Sequence, residues 1–438
     1  MHKPKRAFMY LIGFAVLLLV FTLVINLPAF DEDLMPEVAA IKNIKATPYG
    51  ANNAYPALLA INGPGTDLKI SADKVRTMLN LKISQMGLDY FDQQEYDQHI
   101  RNDLDVTWQE KYPSCHSRRE RACMSKVFTA VREQPIVDER LTTQLQKYHD
   151  LIALDEYSEA TQLDIQAPLI AFGPVMALKR IFLANSYISD NSQDFLSDVI
   201  DDMNYWHMML NKGHLLITKM VAVASITDGL RGLSEAIKAH HFSPVQLIEL
   251  QNNINRLNLQ EVAIGRVFEF EFKYGIKVFE AAESSGEMKY FGLFDFFQLN
   301  ATHNMAYQLT AVPMKHLSKL DSSGFYQYLN SDEFGQEFEH PFSWSPASLY
   351  NPTGKVLMSY TVPAYTDYLA RIHDLGGMIV LLKLQIELAL NQEKPVKNVV
   401  LNSEFLNPYT SEPMSYNAAT DSIYFTCLDK TSVCELGL

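Results

Sequence analysis

Four cysteines and three tryptophans in 438 residues are too few for a disulfide-dense scaffold, and 19 glycines with 19 prolines exclude a collagen-like or low-complexity chain. The common nucleotide and hydrolase signatures are missing. There is no GxxxxGK[ST], no GxGxxG after a strand, no GxSxG elbow and no HExxH. GPG (Gly63–Gly65) is a turn. Enzymes whose catalytic groups converge only in space escape such a search. Basic residues are outnumbered, 37 Lys+Arg against 51 Asp+Glu for a net charge of −14. That balance argues against nucleic acid as a partner, because phosphate binding takes a concentrated basic surface. None of the 12 histidines forms an HxH or HxxxH pair, so structural zinc is not expected, and no other cofactor is implied.

What the chain does have is a start built for a membrane. Lys3, Lys5 and Arg6 precede an uncharged apolar run over residues 7–29, followed by Asp31, Glu32 and Asp33. At about 1.5 Å per residue such a run spans roughly 30 Å of hydrocarbon. Secretory signals usually carry only about 7–15 apolar residues, so an uncleaved single-pass anchor fits better than a leader removed after Ala29. The basic flank should stay in the cytoplasm, as residues 1–6, and the acidic flank should cross.

The cysteines lie as two close pairs, Cys115 with Cys123 and Cys427 with Cys434. Local disulfides in an oxidising compartment are the preferred reading; free thiols and a metal site are the alternatives, although the gaps lack CxxC spacing.

Hydrophobic residues make up 47% of the chain and charged ones 20%, enough to build a sizeable core. Residues 30–70 carry Pro36, Pro48, Pro56 and Pro64 among glycines, which reads as an irregular lead-in. Within it, Asn52–Ile61 is apolar enough to dock on the body. From Ser71 helical signals dominate. Helices are expected over 71–86, 138–157, 168–186 and 192–211, then along Leu216, Met220, Val223, Leu230, Leu233 and Ile237. Ser243-Pro244 is an N-cap with proline at the first helical position. Further helices are expected over 260–283 and 298–320, with Pro313 kinking the second. Residues 321–363 read as a loop, and a long helix resumes over 364–391. Its longest uncharged run, Leu375 to Leu382, is too short to be a second span. After Asn407, Met414–Tyr416 and Ile423–Cys427 flank a turn and predict a small hairpin. The expected fold is all-α: a transmembrane helix, a multi-helical body over 71–400 and a small C-terminal β-hairpin within 401–438.

The segment NPYTSEPMSYNAATDSIYF (Asn407–Phe425) resembles a C-terminal module of many bacterial envelope proteins. That module reads roughly Asp-Pro-Phe-Ser/Thr-Gly-x-Pro-Leu-x-Tyr before a strand, and pseudopilin tails end in a similar hairpin. Pro408, Tyr409, Thr410, Pro413 and Tyr416 fit; Asn407 replaces the aspartate, and Ser411-Glu412 fill the Gly-x positions. Tyr205–Met220 and the long helix before the tail also resemble uncharacterised membrane-anchored proteins of Gram-negative bacteria. The resemblance covers most of the chain after Pro48. It implies an inner-membrane anchor and a periplasmic helical body; it implies no activity and carries over no functional residue.

Several constellations could carry chemistry. Asp194, Asp198, Asp201 and Asp202 put three carboxylates on one helical face, which suits either a hard cation or a solvated acidic surface. The solvated surface is the plainer reading. His207 and His214 flank Gly213 on separate helices, and His240-His241 closes another. His340, Phe342 and Trp344 lie in an aromatic loop that either packs on the body or forms a binding lip. Arg266, Glu269, Glu271 and Lys273 alternate with Val267 and three phenylalanines, so the two glutamates point to different sides. A buried one would be a general-acid candidate.

No catalytic set is identified. The expected function is a membrane-anchored scaffold, assembly or docking subunit with an envelope protein as partner. The alternatives are a periplasmic hydrolase using carboxylates in an inter-helical cleft, or a hydrophobic-ligand binding protein.

Overall fold

A helix that is apolar on nearly every side needs neighbours on nearly every side. Two segments are of that kind, Leu216–Lys238 and Tyr365–Leu390, and they pack against each other at the centre of the molecule. The structure, a computed structural model, describes residues 3–45, 47–63, 65–84, 111–159, 168–189, 191–285, 296–331, 346–361 and 365–438.

In chain order the helices are α1 (Lys3–Ile25), α2 (Pro36–Lys42), α3 (Ala54–Ala60), α4 (Leu68–Ser84), α5 (Cys123–Glu133), α6 (Glu139–Ile152), α7 (Phe172–Ile188), α8 (Ser192–Lys212), α9 (Leu216–Lys238), α10 (Pro244–Asn253), α11 (Leu259–Val262) and α12 (Gly265–Ser285). They continue with α13 (Leu299–Ala306), α14 (Val312–Leu317), α15 (Ser322–Leu329), α16 (Pro352–Thr361), α17 (Tyr365–Leu390) and α18 (Val396–Asn402). A three-stranded antiparallel sheet follows, β1 (Ser415–Asn417), β2 (Ser422–Tyr424) and β3 (Glu435–Gly437), in the order β1-β2-β3.

The chain is thus mostly helical, with a small C-terminal sheet. The expected hairpin forms with Tyr416 opposite Ile423, and a third strand joins it by pairing Ile423 with Leu436. Phe8–Ile25 is long and apolar enough to cross a membrane, and none of it is buried against the body.

Local chemistry sets the helix ends. Asn191 caps α8 through the Gln193 amide, and Ser243 forms a capping box with Gln246 at α10. At α4 the start lies three residues earlier than Ser71 suggests, with the Asp67 carboxylate accepting from Ile70 N at 3.0 Å. The expected stop at Gly87 lies outside the described residues.

Helices also form where proline and glycine suggest irregular chain. Pro36 stands at the first position of α2 and Pro56 in the first turn of α3, where an amide would lack an intrahelical acceptor anyway. Every residue of α3 is buried, so Asn52–Ile61 docks on the body as an element of its core. The expected 321–363 loop likewise contains α15 and α16, the former capped by Asp321 onto Gly324 N at 2.7 Å. Pro313 does disturb its helix: a π-helical turn over Tyr307–Ala311 joins α13 to α14, which re-routes the bond that proline cannot donate.

Both cysteine pairs stand at disulfide distance, with Cα–Cα separations of 5.5 Å for Cys115–Cys123 and 5.6 Å for Cys427–Cys434. The two loops they close dock on each other. Val433 N donates to the Arg118 carbonyl at 2.8 Å, the Arg118 guanidinium pairs with Asp429, and Arg121 reaches Glu435 at 2.7 Å. From α9, the fully buried Arg231 donates to the carbonyls of Ser117, Val433 and Glu435 and joins both loops to the core. Phe425 of the tail lies against Gly377 of α17 so closely that a Cβ there would fall 2.3 Å from its ring, and only glycine fits.

Candidate functional site

The α12 sequence RVFEFEFKYGIKVFEAAESS places Phe268, Phe272, Gly275 and Phe279 along one stripe at helical spacing. In an ordinary core this stripe would be closed by a packed neighbour. Here the π turn and the short helices around it leave a cavity of about 230 Å3. His303 and Ala306 of α13, Thr310 of the π turn, Met358 of α16 and Tyr365 of α17 complete its walls. The lining is mainly apolar, with Phe268 and Tyr365 edge to face at 4.4 Å between centroids.

A carboxyl, an imidazole and a phenol with shifted protonation stand in this apolar wall. Glu271 accepts from Leu216 N, the first amide of α9, at 2.9 Å, and burial raises its carboxyl above the usual range. His303 has no exposed surface, and burial pushes its imidazole down to about 4, so the ring is neutral at pH 7. Neither ring nitrogen has a hydrogen-bond partner among the described residues; the Ile276 carbonyl beside it favours the protonated form without closing a bond. Burial and the nearby Glu271 both raise the Tyr365 phenol.

The cavity lies beside the point where the chain leaves α1. Asp31 caps α13 by accepting from Asn300 N at 2.9 Å and Ala301 N at 3.0 Å, less than one turn from His303. Asn26 donates to the Leu349 carbonyl at 2.7 Å and accepts from Asn351 N at 2.8 Å, just ahead of α16. Gln298 donates to the Leu27 carbonyl, Tyr350 to that of Phe30, and Asn304 to Glu32 and to the Asp33 carbonyl. Residues 26–35 are therefore stitched to the body by side chains.

The other expected clusters resolve into fold-holding contacts. Of the four aspartates on α8, Asp194 and Asp201 are exposed, Asp198 accepts from Ser186 Oγ at 2.6 Å, and Asp202 has no exposed surface. The helical period turns Asp202 inward with Phe195, Val199 and Trp206, where it pairs with the equally buried Lys179 and accepts from the Tyr148 hydroxyl at 2.5 Å. The acidic face is half surface and half core. His207 meets Glu261 at 2.5 Å, while His214 stacks on Phe270 at 4.6 Å and its amide donates to the buried Glu159. His241 packs among Tyr187, Phe195 and Phe242. Glu269 and Glu271 do face different ways, Glu269 pairing with Lys315 at 3.4 Å near the surface. His340, Phe342 and Trp344 lie outside the described residues.

One further group draws potential ligands together, with Asp374, Cys427 and Cys434 atoms within 4.8 Å of one another. The sulfurs are joined, and the Asp374 carboxylate accepts from Tyr409 OH, Leu428 N and Asp429 N at 2.6, 2.8 and 2.9 Å. Burial lifts that carboxyl to about 6.

No family model matches the chain, and neither the curated proteins nor the solved structures contain a match to it. Sequence reasoning singled out Glu271 but not His303, Gly275 or Met358, which reach the cavity from three separate helices, α13, α12 and α16. The one local signal for His303 is an uncharged neighbourhood, LNATHNMA, and its Asn300, Thr302 and Asn304 give no hint of burial.

Proposed function

We propose that this chain is a single-pass protein of a bacterial inner membrane, with its helical body in the periplasm acting as a docking or scaffold subunit of an envelope complex. The observation that carries the reading is the side-chain lock at residues 26–35, above all Asn26 with Asn351 and Asp31 with α13. A docking surface gains from a fixed angle to the bilayer, because held geometry lowers the entropic cost of assembly. The basic-before, acidic-after flanks support the orientation, and the two cysteine pairs support an oxidising compartment. The buried carboxylates Asp202, Asp374 and Glu159 each accept from internal partners, and Asp228 pairs with Arg180 of α7 at 2.8 Å, which favours binding over acid–base catalysis.

The test is blue-native electrophoresis of the tagged chain from mildly solubilised membranes, with mass spectrometry of the band. The expected result is one envelope protein at fixed stoichiometry, lost when Asn26→Leu and Asp31→Ala unlock a body that still folds. A wild-type chain running only as a monomer overturns the reading.

A further inference from the structure

We propose that the cavity between α12, α13 and α16 binds one uncharged single-chain amphiphile, its hydroxyl head on His303 and its chain along the phenylalanine stripe. The inference rests on the membrane placement in the proposed function but not on its docking partner. Three observations point to it.

The first is an unmet polar group. An imidazole in an apolar wall, beside the Ile276 carbonyl but with neither nitrogen fully bonded among the described residues, costs free energy, on the order of 1–3 kcal/mol, that a ligand can recover. A neutral ring presents one N–H donor and one lone pair on different sides of the ring, and a hydroxyl, which can donate or accept, answers whichever of them faces the cavity. The nearby Glu271 carboxyl, already disfavoured as an anion by burial, makes a carboxylate head the poorer occupant.

The second is Gly275. It sits in the interior of α12, where glycine costs up to about 1 kcal/mol relative to alanine. A Cβ at this position would meet nothing within 4 Å, so packing does not require the glycine. What it does is keep the cavity wall open, between the partly exposed Tyr274 and Val278.

The third is size and place. At about 230 Å3 the cavity is larger than the ~150 Å3 void that takes up benzene, which gives room for a chain of about eight to ten carbons. Two of the helices that line it, α13 and α16, are those holding Asp31 and Asn26 at the end of the apolar helix. An amphiphile leaving the outer leaflet would meet the cavity first.

The experiment uses the full chain in phosphatidylcholine nanodiscs with decanol carrying a terminal diazirine. After photolysis, mass spectrometry should find saturable label on peptides containing Phe272, Val278 or Met358, competed by decanol and at least tenfold less well by decanoate. Gly275→Phe fills the open wall and should abolish this label, while label on Phe8–Ile25 from probe dissolved in the bilayer persists as an internal control. His303→Leu keeps the volume and should weaken competition by decanol about tenfold, with circular dichroism unchanged in both variants. Label that does not saturate, that survives G275F, or that decanoate displaces better overturns the proposal. Extraction of the unlabelled chain identifies the source: a hydroxyl amphiphile already bound at one per chain means the membrane supplies it, and an empty chain that binds added decanol means solution does.

Discussion

The backbone amide of Asn351 donates to the side chain of Asn26 across 325 residues of sequence, at 2.8 Å, in a place where both residues are buried. Asn26 also donates to Leu349, so a single asparagine satisfies the strand of chain that leads into α16. Asn26→Leu removes both bonds and leaves a buried amide unmet, at a cost of about 1–3 kcal/mol. The thermal midpoint should drop by a few degrees. Spin labels on the body and on the apolar helix should report a broader distance distribution, and an unchanged distribution would mean that the lock lies elsewhere.

Lys179 and Asp202 form an ion pair with no exposed surface on either side chain. Removing one member strands the other, which typically costs 3–5 kcal/mol. Lys179→Met should therefore shift the urea midpoint sharply downward. Adding Asp202→Asn removes the stranded charge, keeps an acceptor for Tyr148, and should recover part of the loss. A double variant as unstable as the single one would contradict this account.

Stability should depend on pH through buried histidines. Burial holds His214, His303 and His373 down to about 4, below the ordinary 6.5. The unfolded chain then binds more protons between pH 6.5 and 4, so these groups favour folding above 6.5 and their contribution is lost as pH falls through that window. Asp374 works in the opposite sense: lifted to about 6, it favours folding at low pH and loses that contribution as pH rises towards 6. His373→Gln should flatten the rise in stability between pH 4 and 6.5 by up to one proton, or about 1.4 kcal/mol per pH unit. Urea titrations across that range measure it.

The Cys427–Cys434 pair closes a loop that offers Asp429 to Arg118 and Arg371. Replacing both cysteines with alanine releases a short loop, an effect of about 2–3 kcal/mol in the chain-entropy account. Proteolysis near Lys430 should accelerate while α9 and α17 stay protected from hydrogen exchange. Equal loss of protection in those two helices would show that the loop is an integral part of the core.

Ser411 takes φ 57°, in the left-handed region that favours glycine, the residue that the resembled envelope module carries there. Ser411→Gly should therefore be neutral to stabilising, by up to about 1 kcal/mol, and Ser411→Val destabilising. Thermal melts of the three chains decide it.

Much of the helical body is legible because its determinants are local. Asn191 and Ser243 sit where their caps are needed, and the stripe from Leu216 to Ile237 marks the central helix directly. Proline misleads in the lead-in, since its effect depends on whether it falls in a first turn, as Pro36 and Pro56 do. The site was harder to read. Asp202 looks like a surface carboxylate until Lys179 and Tyr148 arrive from other helices, and His303 acquires meaning only when Gly275 and Met358 surround the same void. Those are long-range relations, and a one-dimensional pattern does not encode them.

The docking of the two cysteine loops also orders events in time. Arg118 and Arg121 find their ion-pair partners, and Arg231 two of its three carbonyls, only when residues 429–435 have been synthesised, hundreds of residues later. Until then a buried guanidinium and an open seam remain at the heart of the body. A chain cut short by a dozen residues would carry that open seam although every helix is present, and exposed surface of this kind is what makes incomplete chains prone to aggregate.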